Sequence, residues 1–238
     1  MSFGEGVFPD SHKHALVWLR IKKPTLDLLD IKSFRPISNP SFVSKMTERL
    51  VVDRFNAHIS TYHLLPPRQS AYRPYHSTET AIMIVHNDII RAINAGNVSA
   101  LVLLDLSAAF DTIDHDIVIE ILNLRFGVVD YALNWFRSYF SGRTQSFCTP
   151  TGTSKPDNLN SSVPHGSVIG PQKFIAYTGN ITDTIDVFSV DHHLYADDTQ
   201  LQKHMHVCEI QANRQNLAQC VVVVGEWCSS RRLQLNPD

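Results

Sequence analysis

Acidic side chains end two apolar runs of the chain, at Leu103-Leu104-Asp105 and at Tyr195-Ala196-Asp197-Asp198. A carboxylate at the end of a buried strand is held by rigid backbone while its head group reaches solvent, which suits a hard cation that needs fixed oxygen ligands. If Asp105, Asp197 and Asp198 converge, the pattern predicts metal-assisted phosphoryl chemistry. Adjacent aspartates also fit a solvated turn, and a short motif by itself does not decide between the two interpretations.

The residues around these aspartates predict the elements that position them. The apolar run 100–104 predicts a buried strand that ends at Asp105. Residues 187–190 with 194–195, followed by residues 199–201, predict two strands joined by a tight acidic turn. The sequence therefore predicts a strand end that faces the tip of a hairpin.

Apolar periodicity and cap residues predict a mixed domain of helices and strands. Residues 15–21 form a strand candidate before Pro24, and Ser77 is a cap candidate for the helix that follows it. Apolar residues recur at helical spacing near residues 43–50, 82–93, 117–124, 133–140 and 210–224. In the last of these helices, Ile210, Leu217, Val221 and Val224 are predicted to share one face. Glycines are expected to end several of the helices. Periodicity alone supports an α/β or α+β domain.

Composition and charge narrow the class of protein. The 238 residues carry a net charge of −2 and no run of about 20 apolar residues, so we expect a soluble, intracellular protein with no membrane partner. Four cysteines without zinc-like spacing predict reduced, mostly buried thiols. Up to Tyr75 there are eleven Lys and Arg against six Asp and Glu, whereas the remainder has ten against seventeen. This asymmetry fits phosphate contacts in one part and metal ligands in the other, although random variation in surface charge would also explain it.

Six blocks occur in a fixed order over nearly the whole chain. They are Arg35-Pro36-Ile37-Ser38-Asn39, Gln69-Ser70-Ala71-Tyr72-Arg73 with Ser77-Thr78-Glu79, residues 105–114, Trp135-Phe136-Arg137-Ser138-Tyr139, Val163-Pro164-His165-Gly166-Ser167, and Tyr195-Ala196-Asp197-Asp198. Together they resemble the reverse transcriptases of non-LTR (LINE-type) retrotransposons. The resemblance implies an α+β right-hand polymerase whose palm has a small antiparallel sheet packed on helices. It also implies fingers in residues 1–98, palm in residues 99–238, and no thumb.

The resemblance implies an RNA-directed DNA polymerase. Such an enzyme transfers a nucleotide from a dNTP to a primer 3′-hydroxyl, with an RNA template and a DNA primer as partners. Asp105, Asp197 and Asp198 are the implied ligands of two Mg²⁺ ions, with Mn²⁺ as an alternative cofactor. Asp105 and Asp197 would bridge both ions, and Asp198 would be an outer or partial ligand.

Four further residues match positions that bind the incoming nucleotide in the family. Phe110 would lie under the sugar and exclude a 2′-hydroxyl by steric clash, unless it is an ordinary core residue. Arg35 would bind two phosphate oxygens through its forked guanidinium. Lys22 and Lys23 would also bind the triphosphate, although both equally fit a solvated strand end.

The loop that contains His165 and Gly166 departs from the family pattern. The family usually has Gln in place of His165, and an imidazole cannot both donate and accept at its tip as an amide does, which weakens template positioning. Gly166 still permits close approach of the backbone to nucleotide and template. Gln172 and Lys173 replace apolar residues and are expected to weaken packing.

Two alternatives to an active polymerase follow from these departures and from the expected lack of a thumb and an endonuclease domain. One is a non-catalytic remnant of a mobile element that binds nucleic acid weakly at most. The other is a metal-dependent phosphohydrolase that uses the same acids and needs no primer.

Overall fold

The computed structural model describes residues 4–107, 112–159, 161 and 166–236. Phe110 and His165, two of the predicted site residues, lie outside the described residues. The α-helices are α1 (Phe42–Tyr62), α2 (Thr78–Asn94), α3 (His115–Leu124), α4 (Asp130–Phe140), α5 (Gly170–Thr178), α6 (Ile181–Asp186) and α7 (Ile210–Ser230). The strands are β1 (His14–Ile21), β2 (Phe34–Pro40), β3 (Val98–Leu104), β4 (Leu106–Ser107), β5 (Thr144–Thr149), β6 (Gly152–Thr153), β7 (Asp157–Asn158), β8 (Asp191–Tyr195), β9 (Asp198–Met205) and β10 (Gln234–Leu235). None of the described helices is long and apolar enough to cross a membrane.

The chain divides into two compact units. The first unit comprises Met1–Leu64 and Asp114–Lys173, and the second comprises Leu65–Ile113 and Phe174–Asp238. Each unit takes residues from both sides of residue 98. The division into fingers and palm at that residue therefore stays a prediction.

The first unit contains a mixed sheet and an aromatic core. The strand order is β2-β1-β5-β6, with β7 also paired to β5, and β1 runs antiparallel to β2 but parallel to β5. In the core, the ring of Phe8 lies edge-on to Trp135 at a centroid distance of 5.5 Å, and Trp135 stacks on Tyr139 at 5.3 Å. All three side chains are fully buried. Large rings packed in these geometries contribute apolar burial and a specific arrangement of the helices that carry them.

The second unit contains a small antiparallel sheet packed on helices. Its strand order is β3-β9-β8, and a separate two-stranded ribbon pairs β4 with β10. Helix α2 contacts β3 and β8, while α7 contacts β9 and α6. Leu201 in the middle of β9 and Val224 on α7 are fully buried, which places part of the core between sheet and helix. The predicted α+β class is confirmed, as is a small antiparallel sheet packed on helices.

Side chains cap the starts of α2 and α3, and the cap at Ser77 is the one that the sequence analysis predicts. Ser77 and Thr80 form a capping box at the start of α2, in which the Ser77 hydroxyl accepts from the Thr80 N–H and the Thr80 hydroxyl accepts from the Ser77 N–H. Asp114 is the N-cap of α3, and its side chain accepts from two N–H groups of the first turn, at 2.9 and 3.1 Å. Gly96, with a φ of 78°, follows the end of α2. A positive φ at this position favours glycine because it has no Cβ.

Three local predictions are wrong. The run 100–104 lies in β3, which ends before Asp105 as predicted, but it is not buried, since Leu101 and Leu103 are 44% and 68% exposed. Residues 187–190 do not form a strand, because the N–H groups of Phe188 and Ser189 bond back to the last turn of α6 and β8 begins only at Asp191. The buried stripe of α7 consists of Leu217, Cys220, Val224 and Cys228, while Ile210 is 42% exposed. The two cysteines pack as small apolar side chains, which a count of aliphatic residues alone does not anticipate.

A buried carboxylate connects three parts of the first unit. Glu48 on α1 is fully buried, and its Oε1 accepts hydrogen bonds of 3.0 Å from the Ser44 hydroxyl and from the Tyr139 hydroxyl on α4. Its Oε2 accepts from the backbone N–H groups of Val168 at 2.7 Å and Ile169 at 3.4 Å. Burial and the Glu48 charge raise the pKa of Tyr139, so the phenol stays a donor. Glu48 thereby fixes the segment before α5 to the core.

A buried cation lies beside this carboxylate. Lys173 is 1% exposed, and its Nζ lies 3.9 Å from the ring centroid of Tyr139 and 3.7 Å from that of Phe140. Burial lowers the pKa of Lys173 well below its ordinary value of 10.5, against the opposing effect of Glu48. The lysine at this position thus lowers stability because its amine loses hydration on burial, and not because it leaves a cavity.

Removing the buried carboxylate should destabilise the first unit strongly. Glu48→Ala leaves the Tyr139 hydroxyl and two backbone N–H groups without their acceptor, so we expect a loss of about 3 kcal/mol or more in the free energy of unfolding. Tyr139→Phe is the matched control, since it removes one hydrogen bond and should cost about 1 kcal/mol. Urea unfolding followed by tryptophan fluorescence measures both. Equal losses in the two variants would contradict the role of Glu48 as a shared acceptor.

Replacing the buried lysine should stabilise the fold and change its pH dependence. Lys173→Met keeps the shape without burying an amine, so we expect a gain of about 1–3 kcal/mol. The Lys173 amine has a lowered pKa in the folded chain and the ordinary pKa of 10.5 in the unfolded chain. Between these two values the unfolded chain binds more protons, so the free energy of unfolding of the wild type rises with pH. The Lys173→Met variant should lack this contribution. Urea midpoints across that pH window test both points, and a variant with the wild-type slope would contradict the assignment.

Candidate functional site

The predicted acidic side chains meet at one end of the sheet in the second unit. The β3–β9 register pairs Leu104 with Thr199, so the next position along places Asp105 opposite Asp198. Tyr195 pairs with Asp198 across the β8–β9 hairpin, which leaves Ala196 and Asp197 as its two-residue tip. The predicted strand end therefore lies beside the predicted acidic hairpin.

The tip of the hairpin is tight and strained. Ala196 adopts a φ of 56°, in the left-handed region that a residue with a Cβ rarely occupies. A positive φ at the first of two central residues is the geometry of a hairpin turn whose twist matches the flanking strands. Strain of this kind persists only where the surrounding structure maintains it, and it concentrates at functional sites.

The pKa of Asp198 is raised, as expected for a carboxyl group with other acids nearby. Burial raises the pKa of Asp198, and the negative charges of Asp197 and then Asp105 raise it further. Burial and the Asp197 charge also raise the pKa of the nearby Tyr72 hydroxyl. Three carboxylates that repel one another form a local negative field that a cation would relieve.

The donor chemistry of this site fits a hard divalent cation. Carboxylate oxygens are the ligands that Mg²⁺ prefers, and this ion commonly binds through one or two carboxylates together with waters and substrate phosphates. Among the residues that the structure describes, no group of three or more His, Cys, Asp or Glu side chains is arranged to hold a metal ion. The acids are therefore adjacent without forming a closed metal cage.

A buried segment that precedes α2 supports the hairpin. The Leu194 N–H donates to the Arg68 carbonyl and the Ser70 N–H donates to the Leu194 carbonyl, both at 2.9 Å. Ser70 and His193 share a side-chain hydrogen bond of 3.0 Å, and Gln69 is fully buried. In the sequence, residues 69–73 stood out only through their resemblance to the reverse transcriptase family. The structural role of these residues depends on pairing with a strand more than 120 residues away, as the Ser70–His193 separation of 123 shows.

The sequence reasoning missed one contact to the acidic site. The Asn236 side chain donates a hydrogen bond of 3.3 Å to Oδ2 of Asp105. A single asparagine carries no chemical signal in a sequence, so only the pairing of β10 with β4 could reveal it.

The predicted phosphate-binding side chains lie in the first unit. Arg35 on β2 is exposed, as are Lys22 and Lys23 directly after β1. Arg35 pairs directly with Arg20 across the β1–β2 ladder, a partner that the sequence reasoning also missed. Directly opposed like charges on a sheet destabilise each other, so a bound anion would stabilise this arrangement. This basic cluster (Arg20, Lys22, Lys23 and Arg35) belongs to the first unit, and the acidic site belongs to the second.

Gly166 lies close to the backbone of β2 within the first unit, while its predicted approach to nucleotide and template stays a prediction. Gly166 has a φ of 104°, and a Cβ at this position would lie 2.6 Å from the Ser38 carbonyl oxygen on β2. Any side chain would therefore clash with the strand. The glycine allows the loop to lie against the same strand that carries Arg35.

Comparison with known families gives a match over almost the whole chain. A family model described as reverse transcriptase (RNA-dependent DNA polymerase) matches residues 21–238. A probable RNA-directed DNA polymerase from transposon BS of Drosophila melanogaster is 28% identical over 235 residues, covering 97% of this chain and 25% of that protein. The RNA-directed DNA polymerase from mobile element jockey of Drosophila funebris is 27% identical over 176 residues, covering 74% of this chain and 19% of that protein. The chain thus spans a quarter or less of the length of these curated relatives.

Solved structures share the fold. Apo telomerase from Candida tropicalis, truncated from its C-terminal domain, matches with a TM-score of 0.67 and 12% identity over 97% of this chain and 50% of that one. Telomerase from Candida albicans in complex with a fragment of telomeric RNA matches with a TM-score of 0.62 and 12% identity over 97% of this chain and 42% of that one. These likenesses concern the fold alone. The family match over residues 21–238 and the relatives from Drosophila mobile elements confirm the resemblance to non-LTR retrotransposon reverse transcriptases, and the chain belongs to the reverse transcriptase family.

Proposed function

We propose that this chain is the core of an RNA-directed DNA polymerase. The reaction is nucleotidyl transfer, in which a primer 3′-hydroxyl attacks the α-phosphate of a dNTP opposite an RNA template. The observation that supports it best is the β3–β9 register, which puts Asp105 beside the acidic hairpin of Asp197 and Asp198. Family membership supports the same reaction class.

The three acids supply the negative charge that would hold divalent metal ions. Asp105 and Asp197 would share the same pair of Mg²⁺ ions, or Mn²⁺ in their place, and Asp198 would be an outer or partial ligand. When bound, such a pair of ions stabilises both the attacking and the leaving oxygen of an in-line displacement. The pairing of Asp198 with Tyr195 and of its neighbour Thr199 with Leu104 holds the backbone of the acids in place before substrate arrives, so little reorganisation would be needed during the reaction.

The basic cluster of the first unit would bind the triphosphate. The fork of Arg35 can donate to two phosphate oxygens, and Lys22 and Lys23 add mobile positive charges. The opposed pair of Arg20 and Arg35 supports this role, because an anion between them offsets their repulsion.

Three further roles remain part of the proposal. Phe110 would exclude ribonucleotides by contact with a 2′-hydroxyl, and His165 would contact the nucleotide or template through one nitrogen at a time. Gly166 would let the loop backbone approach the substrate. The proposed division into fingers (residues 1–98) and palm (residues 99–238) assigns all three contacts to the palm.

Removing one acid of the hairpin should abolish DNA synthesis. We expect Asp197→Ala to lower primer extension on an RNA template with Mg²⁺ by a factor on the order of 10² to 10³, since metal-held charge contributes several kcal/mol to the transition state. Asp191→Ala is the matched control, because it removes an exposed acid from the other end of the same hairpin and should change the rate by less than about twofold. Incorporation of radiolabelled dNTP measures both variants.

The other outcomes distinguish the alternatives. Binding of an RNA–DNA duplex without extension in the wild-type chain would favour a non-catalytic remnant. Phosphate release from nucleotides in the absence of primer, abolished by Asp197→Ala, would favour a phosphohydrolase. Extension that survives Asp197→Ala would contradict the proposed site.

The mutual influence of the acids can be measured without substrate. Asp197 and Asp105 both raise the pKa of Asp198, and Asp197 contributes more. We therefore expect Asp197→Asn to lower the pKa of Asp198 and Asp105→Asn to lower it by a smaller amount, while Asp191→Asn leaves it unchanged. Carboxyl ¹³C NMR titration of the metal-free protein gives these values. An Asp198 pKa that responds to neither neighbour would contradict the arrangement of the three acids.

A further inference from the structure

One residue near the end of the described chain contacts Asp105 twice. The Asn236 backbone N–H donates a hydrogen bond of 2.8 Å to the Asp105 carbonyl oxygen. Its side-chain Nδ2 donates a second one of 3.3 Å to Oδ2 of the Asp105 carboxylate. Backbone and side chain of the same residue therefore fix both the position and the rotation of this acid.

The position of Asn236 is determined by the elements around it. Leu235 pairs with Leu106 and Gln234 pairs with Ser107, so Asn236 continues the ribbon to the position opposite Asp105. The connection from α7 is held as well, because the Leu233 N–H donates to the Cys228 carbonyl at 2.8 Å and Leu233 is buried. The Asn236 amide is thus presented to Asp105 by paired backbone rather than by a free chain end.

The chemistry of an amide suits this position. A carboxylate has about four lone-pair sites, so one hydrogen bond to Oδ2 orients the group and leaves Oδ1 for a cation. A lysine here would form an ion pair that competes with the cation, and another aspartate would repel Asp105. Groups that hydrogen-bond to metal ligands orient them and contribute to metal affinity.

We propose that Asn236 is a positioning residue that orients the Asp105 carboxylate for divalent cation binding. This inference rests on the proposed function, in which Asp105 is a metal ligand. It adds a second element, the β4–β10 ribbon, to the three-stranded sheet as a determinant of the site.

Binding of Mn²⁺ alone, followed by the EPR signal of the free ion, tests the inference on the full chain. We expect Asn236→Ala to weaken Mn²⁺ binding by about 10- to 100-fold. Asn236→Gln retains an amide donor and should recover part of the affinity. Gln234→Ala is the matched control, because it removes an exposed amide two residues away on the same ribbon and should leave binding within about twofold. Circular dichroism checks that each variant is folded.

Primer extension gives a second measurement. The Mn²⁺ concentration for half-maximal rate should rise in Asn236→Ala by a factor similar to the loss of affinity, with a smaller change in the rate at saturating Mn²⁺. Wild-type Mn²⁺ affinity in Asn236→Ala, together with lost binding in Asp105→Ala, would overturn the positioning role and leave the proposed function intact. Unchanged binding in Asp105→Ala would instead overturn the proposed function at this site.

Discussion

The candidate active site depends on the register of one antiparallel pair, β3 with β9. Seven consecutive residue pairs, from Val98–Met205 to Leu104–Thr199, set that register. Because side chains alternate between the two faces of a strand, a slip by one residue would turn each side chain to the opposite face and move Asp105 away from Asp198. The burial of Leu201 favours this register, and the register in turn sets the positions of Asp105 and Asp198 relative to each other.

Backbone pairing on several sides offsets the cost of gathering like charges. The hairpin tip holds Ala196 at a positive φ, and burial and then the adjacent acids raise the pKa of Asp198, so the site is unfavourable when taken alone. Residues 68–70 pair with β8 on one side, and the β4–β10 ribbon holds Asp105 on the other. Under the proposed function, such a site would bind cations with little rearrangement, because its backbone is already held in place without them.

The first unit uses a buried polar network where an apolar core would be simpler. Glu48 accepts from Ser44, Tyr139 and the segment before α5, while the buried Lys173 amine lies against aromatic rings. A network of this kind makes the arrangement specific, because any displacement of the loop leaves a buried donor without its acceptor. The loop fixed in this way contains Gly166, whose backbone lies against the strand that carries Arg35.

Local chemistry in the sequence determined the helix caps, the strand that ends at Asp105, the acidic hairpin and the family. Ser77, Asp114 and Gly96 act on neighbouring residues, and strand periodicity needs no knowledge of partners. Tertiary structure alone decided the contacts between distant residues: Asn236 with Asp105, Ser70 with His193, Arg20 opposite Arg35, and Glu48 with the loop before α5. It also decided that residues 187–190 turn rather than extend, because the preceding helix offers carbonyls to their N–H groups. The physical reason is that these hydrogen bonds depend on which segments become neighbours on folding, and no pattern of residue types along the chain records that.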